Sequence, residues 1–300
     1  MIKRNKMIQS TELGATINVV TFEPDDKDSV KGIIQVVHGM TEYIERYTEF
    51  AEYFTEQGFV VIGNDIIGHG RNTHKDSKDI HMNDWFNAVS DIKLVCNIAA
   101  EKYPNKPIFI LGFSLGSFLV RSLNDLSDYA GQILIGTGYQ PTFILKVLRL
   151  YLKIKYRNKM NIKSDEIKEL AFSNYNNKFK DKPENYWLLT DENARKEYEN
   201  DKLVKRDFTP GFFCEFLTGM IYTNKKLKKL KKPNNTIPTL FIYGSDDIVA
   251  GFGKGITKVY KAYYKNNKNT EVYCVDGKTH DVLHDINSEL VEELIVSKLI

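Results

Sequence analysis

Pro107-Ile108-Phe109-Ile110-Leu111-Gly112-Phe113-Ser114-Leu115-Gly116-Ser117-Phe118-Leu119-Val120-Arg121-Ser122-Leu123 runs from an apolar strand pattern into a helix pattern across a Gly-x-Ser-x-Gly corner. A serine at such a corner is forced into strained backbone angles. Only residues without a side chain at the two flanking positions let neighbouring chain pass that close. The strain lifts the hydroxyl of Ser114 out of the sheet, toward whatever lies above it. The pentapeptide alone is a weak signal, and the strand before it and helix after it are what give it weight.

Working outward, short β-branched or aromatic runs recur at Ile17–Phe22, Gly32–Val37, Phe59–Gly63, Ile108–Leu111, Gln132–Ile135, Thr239–Tyr243 and Glu271–Val275. Helical patterns lie between them. Ile44, Tyr47, Phe50, Ala51 and Phe54 recur at intervals of three to four, as do Ile92, Val95, Cys96 and Ala99. Strands alternating with amphipathic helices predict an α/β fold: a mostly parallel sheet flanked by helices on both faces. Reactive groups in such sheets sit just past the carboxyl ends of strands.

From Tyr139 to Lys232 the alternation stops. This stretch is rich in Lys, Asn and aromatic residues and predicts an inserted helical cap, dividing the chain into a core of residues 1–138 and 233–300 and a cap of residues 139–232. The insertion carries 22 Lys and Arg against 12 Asp and Glu, net +10; the remainder carries 20 against 27, net −7, which together give the +3 of the whole chain. Within the insertion, Phe143, Ile144, Leu145, Val147, Leu148, Leu150, Tyr151 and Ile154 alternate with Lys146, Arg149, Lys153 and Arg157. Such a helix suits transient contact with an anionic membrane surface. It equally suits an ordinary cap helix over an active-site entrance. The lysine run Lys225-Lys226-Leu227-Lys228-Lys229-Leu230-Lys231-Lys232 could attract phosphate, or simply compensate a helix dipole before Pro233.

Two further constellations give Ser114 a chemistry. Gly244-Ser245-Asp246-Asp247-Ile248-Val249 places carboxylates after one strand, and Asp276-Gly277-Lys278-Thr279-His280-Asp281 places a histidine after the last. A serine hydroxyl is a poor nucleophile until an imidazole accepts its proton, and the imidazole needs a carboxylate to hold its tautomer. The order Ser114, Asp247, His280 is that of α/β-hydrolases. Asp246 competes with Asp247, and His284 with His280. His38 and His69 lie in glycine-rich loops and read as structural hydrogen-bonding groups. His74 and His81, near Asp76, Asp79 and Asp84, fit no standard ligand spacing, so a metal site is not expected there.

The chain resembles the α/β-hydrolases of the monoacylglycerol lipase and lysophospholipase group, the serine aminopeptidase S33-like set. His38-Gly39-Met40-Thr41-Glu42, with Arg46-Tyr47, is similar to the family's His-Gly-x-x-Glu segment, and Asp65-Ile66-Ile67-Gly68-His69-Gly70 to its Asp-x-x-Gly-His-Gly loop. Its Gly-x-x-Asp motif selects Asp247. Departures are Tyr43 for a usual histidine, Asn72 for a usual serine and Ser117 for a usual glycine. The resemblance implies a serine carboxylester hydrolase acting on lipid-like esters through an acyl-enzyme, with the main-chain amides of Met40 and Leu115 as the oxyanion hole and no metal or organic cofactor. An S33-type aminopeptidase is the alternative, although a cationic peptide terminus suits a basic insertion poorly; a non-catalytic ligand-binding member of the fold is a third reading.

Composition sets the remaining expectations. With 300 residues and 42% hydrophobic content the chain can bury a full core, and a net charge of +3 forces no nucleic-acid partner. Three widely spaced cysteines, Cys96, Cys214 and Cys274, and a basic N-terminus without an apolar signal core predict a cytoplasmic protein.

Overall fold

The structure is a computed structural model that describes residues 1–72, 79–205, 207–230 and 237–299. Eight strands form one sheet: β1 (Ile2–Gln9), β2 (Thr16–Glu23), β3 (Gly32–Val37), β4 (Phe59–Asn64), β5 (Ile108–Phe113), β6 (Gly131–Ile135), β7 (Thr239–Gly244) and β8 (Thr270–Val275). Their spatial order is β1-β2-β4-β3-β5-β6-β7-β8. The β1–β2 and β2–β4 pairs are antiparallel and all later pairs parallel. All seven strands expected from the sequence are present.

β1 was not expected. Its residues, Ile-Lys-Arg-Asn-Lys-Met-Ile-Gln, are mostly exposed on both faces, so it carries no alternation to read. Its pairing with β2 along eight register positions defines it, and its lysines suit a sheet edge, where charge discourages pairing with other chains.

Helices α1 (Thr48–Glu56), α2 (Trp85–Lys102), α3 (Leu115–Ser122), α8 (Lys254–Asn266) and α9 (Glu289–Leu299) cover the sheet. One core joins Trp85, Ile92 and Val95 of α2, Phe118 and Leu119 of α3, and Ile256 and Val259 of α8 to one face. The other joins Phe50 and Phe54 of α1 and Val291 and Ile295 of α9 to the opposite face. The spacing read over 44–54 resolves into a 3-10 turn, Ile44–Tyr47, followed by α1, with all five apolar residues buried.

Between β6 and β7 lie α4 (Thr142–Lys155), α5 (Asp165–Lys178), α6 (Glu192–Asn200) and α7 (Pro210–Lys229). Among the described residues of this stretch there is no strand, only one isolated bridge, Phe208 to Ile80. Trp187, Leu188, Leu189, Tyr198 and Val204 form a small apolar cluster of their own. α7 packs against α4 and also against α2, α3 and α8, so it ties the stretch to the helices of the sheet.

The chain passes from β3 to β4 on one side and then to β5 on the other, so the sheet changes direction between β3 and β5. Loops leaving these two strands diverge there and open a crevice, the place where open α/β sheets hold ligands.

Candidate active site

Ser114 leaves β5 with φ 48° and ψ −115°, in the left-handed half of backbone space that a side-chain-bearing residue adopts only under constraint. Its amide donates to Ile135 O at 2.9 Å, fixing the corner to β6. The flanking glycines are required by contact. A Cβ on Gly116 would stand 1.9 Å from Val37 O, and one on Gly112 would stand 2.7 Å from Gly116 O. The first turn of α3 therefore lies directly against the end of β3.

His280 lies past β8 and reaches both expected partners. Its Nε2 is 2.7 Å from Ser114 Oγ and its Nδ1 is 3.0 Å from Asp247 Oδ1. An ionised carboxylate only accepts, so Nδ1 carries the proton and Nε2 is left to accept from the serine hydroxyl. Asp247 is fully buried, and its Oδ1 also accepts the amides of Val249 at 2.8 Å and Ala250 at 3.1 Å. Asp246, the competing acid, is exposed on the same turn. His284, the competing base, is held elsewhere, with Nδ1 2.9 Å from Asp281 Oδ2 and its ring edge-on to Tyr47.

The imidazole is boxed in by groups that sequence reading did not single out. Trp187 stacks on it at 5.9 Å and Phe113 lies 5.1 Å away at a tilt. The amides of His280 and Asp281 donate to Trp187 O and Leu188 O at 3.2 and 2.8 Å. Gly136, with φ +60°, leaves the space the ring occupies, since a Cβ there would sit 2.7 Å from His280 Cε1. Only a local sign existed in the sequence, a glycine at the carboxyl end of β6.

Met40 follows β3 and Leu115 opens α3. Neither amide donates a hydrogen bond within the described residues, so both are available beside Ser114. Glu42 organises the loop around Met40: its Oε1 accepts Gly39 N–H and, at 2.8 Å, Tyr47 O–H, while its Oε2 accepts Arg46 Nη1 at 2.6 Å. Arg46 also lies 3.8 Å from Asp281 Oδ2. Burial works to raise the Asp281 carboxyl, and His284, Arg46 and His280 outweigh it and hold it down at about 2. The carboxylates of Glu42 and Asp281 lie close to His284. Arg46 already supplies their positive charge.

Ser114 and His280 open into a cavity of about 330 Å³ whose walls include Phe118, Leu145, Leu148, Trp187, Phe213 and Leu217. Among the described residues no Asp, Glu, Lys or Arg lines it. Apolar walls around a few convergent polar atoms are what a small-molecule site presents.

The serine aminopeptidase S33 family profile matches residues 28–287. The chain belongs to that family of α/β-hydrolases. A monoglyceride lipase homolog of Monkeypox virus is 25% identical over 271 residues, 88% of this chain and 87% of that protein. A monoacylglycerol lipase of Mycolicibacterium smegmatis is 31% identical over 108 residues, so the match spans 35% of this chain and only 38% of that enzyme. Among solved structures, a thermostable carboxyl esterase from Bacillus coagulans in complex with glycerol superposes with a TM-score of 0.87 at 25% identity, covering 99% of this chain and 97% of that one. A monoglyceride lipase variant from Saccharomyces cerevisiae, at 14% identity and a TM-score of 0.75 over 100% and 95% of the two chains, shares the fold.

The S33 motif segments have local work in this chain. His38 donates from Nδ1 to Gly39 O at 2.7 Å and accepts Ile66 N–H on Nε2 at 2.8 Å, a self-consistent neutral tautomer. Burial lowers its pKa, and lowers that of His69, 5.4 Å away, further still. Asp65 accepts the amides of Ile44 and Arg71, both at 2.9 Å, joining its loop to the segment after Glu42. The three departures are accommodated. Asn72 accepts Asn18 N–H at 2.7 Å and donates to Ile66 O at 3.0 Å; Ser117 donates from Oγ to Ser114 O at 2.6 Å; Tyr43 donates to Asp201 Oδ2 at 2.5 Å, beyond α6.

Of the residues that imitate a metal cluster, His74 and Asp76 lie outside the described residues. His81 sits 2.8 Å from Thr209 Oγ1 and 3.1 Å from Asn83 Oδ1, and Asp84 caps α2 by accepting Phe86 N–H at 2.8 Å. Among the described residues no helix is long and apolar enough to cross a membrane.

Proposed function

We propose that this S33 member is a serine hydrolase that cleaves carboxylic esters of lipid-like substrates, monoacylglycerols or lysophospholipids, through an acyl-enzyme. Ser114 Oγ attacks the ester carbonyl as His280 Nε2 takes its proton; Asp247 holds the ring and stabilises its cation. The amides of Met40 and Leu115 receive the oxyanion, each such donor contributing roughly 3 to 4 kcal/mol in a dry site. His280 then protonates the departing alcohol, and water, deprotonated by the same imidazole, releases the fatty acid and restores Ser114.

The observation that carries this reading is the His280 imidazole, 2.7 Å from Ser114 Oγ and 3.0 Å from Asp247 Oδ1, in the wall of an apolar cavity. An acyl chain can be buried there without stranding a charge. An aminopeptidase must pair the substrate's ammonium group, and among the described residues no carboxylate lines the cavity.

The proposed cap is residues 139–232, with α7 anchoring it on the core. α4 presents Ile144, Leu145 and Leu148 to the cavity. Phe143 at 77%, Leu150 at 60% and Ile154 at 70% exposure, with Lys146 and Lys153 beside them, form an outer face suited to transient contact with a lipid surface. Three unpaired cysteines, one of them exposed, suit a reducing compartment, and the proposed setting is cytoplasmic.

The test is a comparison of kcat/KM across p-nitrophenyl esters of rising acyl length, a monoacylglycerol, a lysophospholipid and aminoacyl anilides, with Ser114→Ala as control. Esters with medium or longer chains should exceed the anilides by about 100-fold or more, since a site without a counterion rejects the ammonium group. Preference for anilides would establish the peptidase reading instead.

A further inference from the structure

α3 begins at the serine corner and ends at a second cavity, of about 170 Å³, whose walls include Arg121, Asn124, Thr223, Lys226, Lys229 and Tyr263. It shares no lining residue with the first cavity. Arg121 lies seven residues after Ser114, about 10 Å along the helix axis.

Arg121 is only 3% exposed and forms no ion pair with any described carboxylate. Its Nη1 donates to Thr137 Oγ1 at 2.9 Å and Gly138 O at 3.1 Å, and the Phe118 ring lies 5.1 Å from its Cζ. Nε and Nη2 are buried, and among the described residues neither closes a geometric hydrogen bond. The Tyr263 hydroxyl lies beside the guanidinium and interacts with it, but as a neutral phenol it cannot balance the charge. Nε and Nη2 form one edge of the guanidinium fork, the edge that matches two oxygens of a single anionic group.

A second cation shares this cavity. Lys226 donates to Leu123 O and has no described carboxylate partner. Burial, and then the charge of Arg121, pull its ammonium down to about 8. Lys229 adds a third positive charge. Burying like charges together is unfavourable unless something of opposite sign is bound among them. Two members of the lysine run at the end of α7, Lys226 and Lys229, line the cavity that Arg121 also lines.

We propose that the cavity between α3, α7 and α8 binds a phosphoryl group, with two of its oxygens on Nε and Nη2 of Arg121 and its charge met by Lys226 and Lys229. A dianion matches three cations better than a carboxylate does. Asn124, whose Oδ1 accepts the Tyr222 hydroxyl, retains its amide NH₂ as a further donor. The ligand is either free phosphate or the phosphoryl headgroup of a larger molecule, and the two are separable by experiment.

Calorimetric titration of the full chain with inorganic phosphate, at ionic strength fixed by sodium chloride, tests this directly. The wild type should bind one equivalent saturably. Lys226→Met with Lys229→Gln should weaken binding by about tenfold or more, as should Arg121→Lys, which keeps a charge but loses the fork. The lysine double variant should hydrolyse a soluble short-chain ester at the wild-type rate, showing that it is folded. A parallel titration with glycerol 3-phosphate assigns the source: comparable affinity indicates a headgroup site, and rejection indicates free phosphate. Binding in the lysine double variant as tight as in the wild type, or no heat beyond the sodium chloride control in the wild type, would overturn the proposal.

Discussion

At the scale of single residues, His280 is placed as much by what is missing as by what touches it. Gly136 vacates the space beside Cε1, while Trp187 and Phe113 close the ring's other sides. Gly136→Ala should therefore displace the imidazole and lower kcat on a soluble ester by about 10- to 100-fold, because small misplacements of a proton-transfer group are expensive. KM should change little, and near-wild-type kcat would show that the ring is positioned some other way. The positions of Ser114, Asp247 and His280 past β5, β7 and β8 were readable in the sequence from the strand patterns that precede them. Gly136 and Trp187 were not, since their relation to the ring exists only once β6 and the loop before α6 are brought to it. The residues alone left Asp246 and Asp247 competing and the Gly-x-x-Asp motif chose Asp247; the structure adds that Asp247 is buried and Asp246 exposed.

At the scale of elements, the strands buried on both faces were readable and β1 was not. β3, β4 and β5 are buried throughout and mostly apolar, whereas β1 is defined by hydrogen bonding to β2 alone and its side chains meet water on either face. Between β6 and β7 the helical character and the amphipathic pattern of α4 were readable, but its division of labour required the fold: α4 turns one face to the cavity and leaves Phe143, Val147, Leu150 and Ile154 outward. Leu150→Lys with Ile154→Lys should reduce turnover of a long-chain monoacylglycerol presented in vesicles by about tenfold, since burial of two large aliphatic side chains at an interface is worth a few kcal/mol before opposing terms. Activity toward a soluble butyrate ester should remain unchanged. Equal losses on both substrates would place the outer face of α4 in folding or catalysis rather than in lipid contact.

At the scale of the whole molecule, a sheet with a core on each face is joined to the helical stretch between β6 and β7, and a carboxyl shifted into the neutral range, that of Glu292, lies far from the serine corner in sequence. Glu292 on α9 is raised from 4.5 to about 7 by burial, then by Glu289 and Glu49, with His284 opposing. A raised folded-state pKa means that the fold prefers the protonated acid. The penalty is absent below the unfolded value near 4.5, grows as pH rises through 7, and is complete above it. Glu292→Gln should leave the melting temperature nearly unchanged at pH 4.5 and raise it at pH 8, the gain in stability there being on the order of 1 kcal/mol. An equal gain at both values would locate the effect in packing. The most direct measurement on the molecule as a whole is intact-protein and peptide mass spectrometry after reaction with a fluorophosphonate. One equivalent should attach to Ser114 in the wild type and in His284→Gln, none in Ser114→Ala, and only a slow trace in His280→Gln. Labelling of Ser114→Ala at the wild-type rate, or an adduct on another residue, would contradict the assignment of Ser114 as the nucleophile.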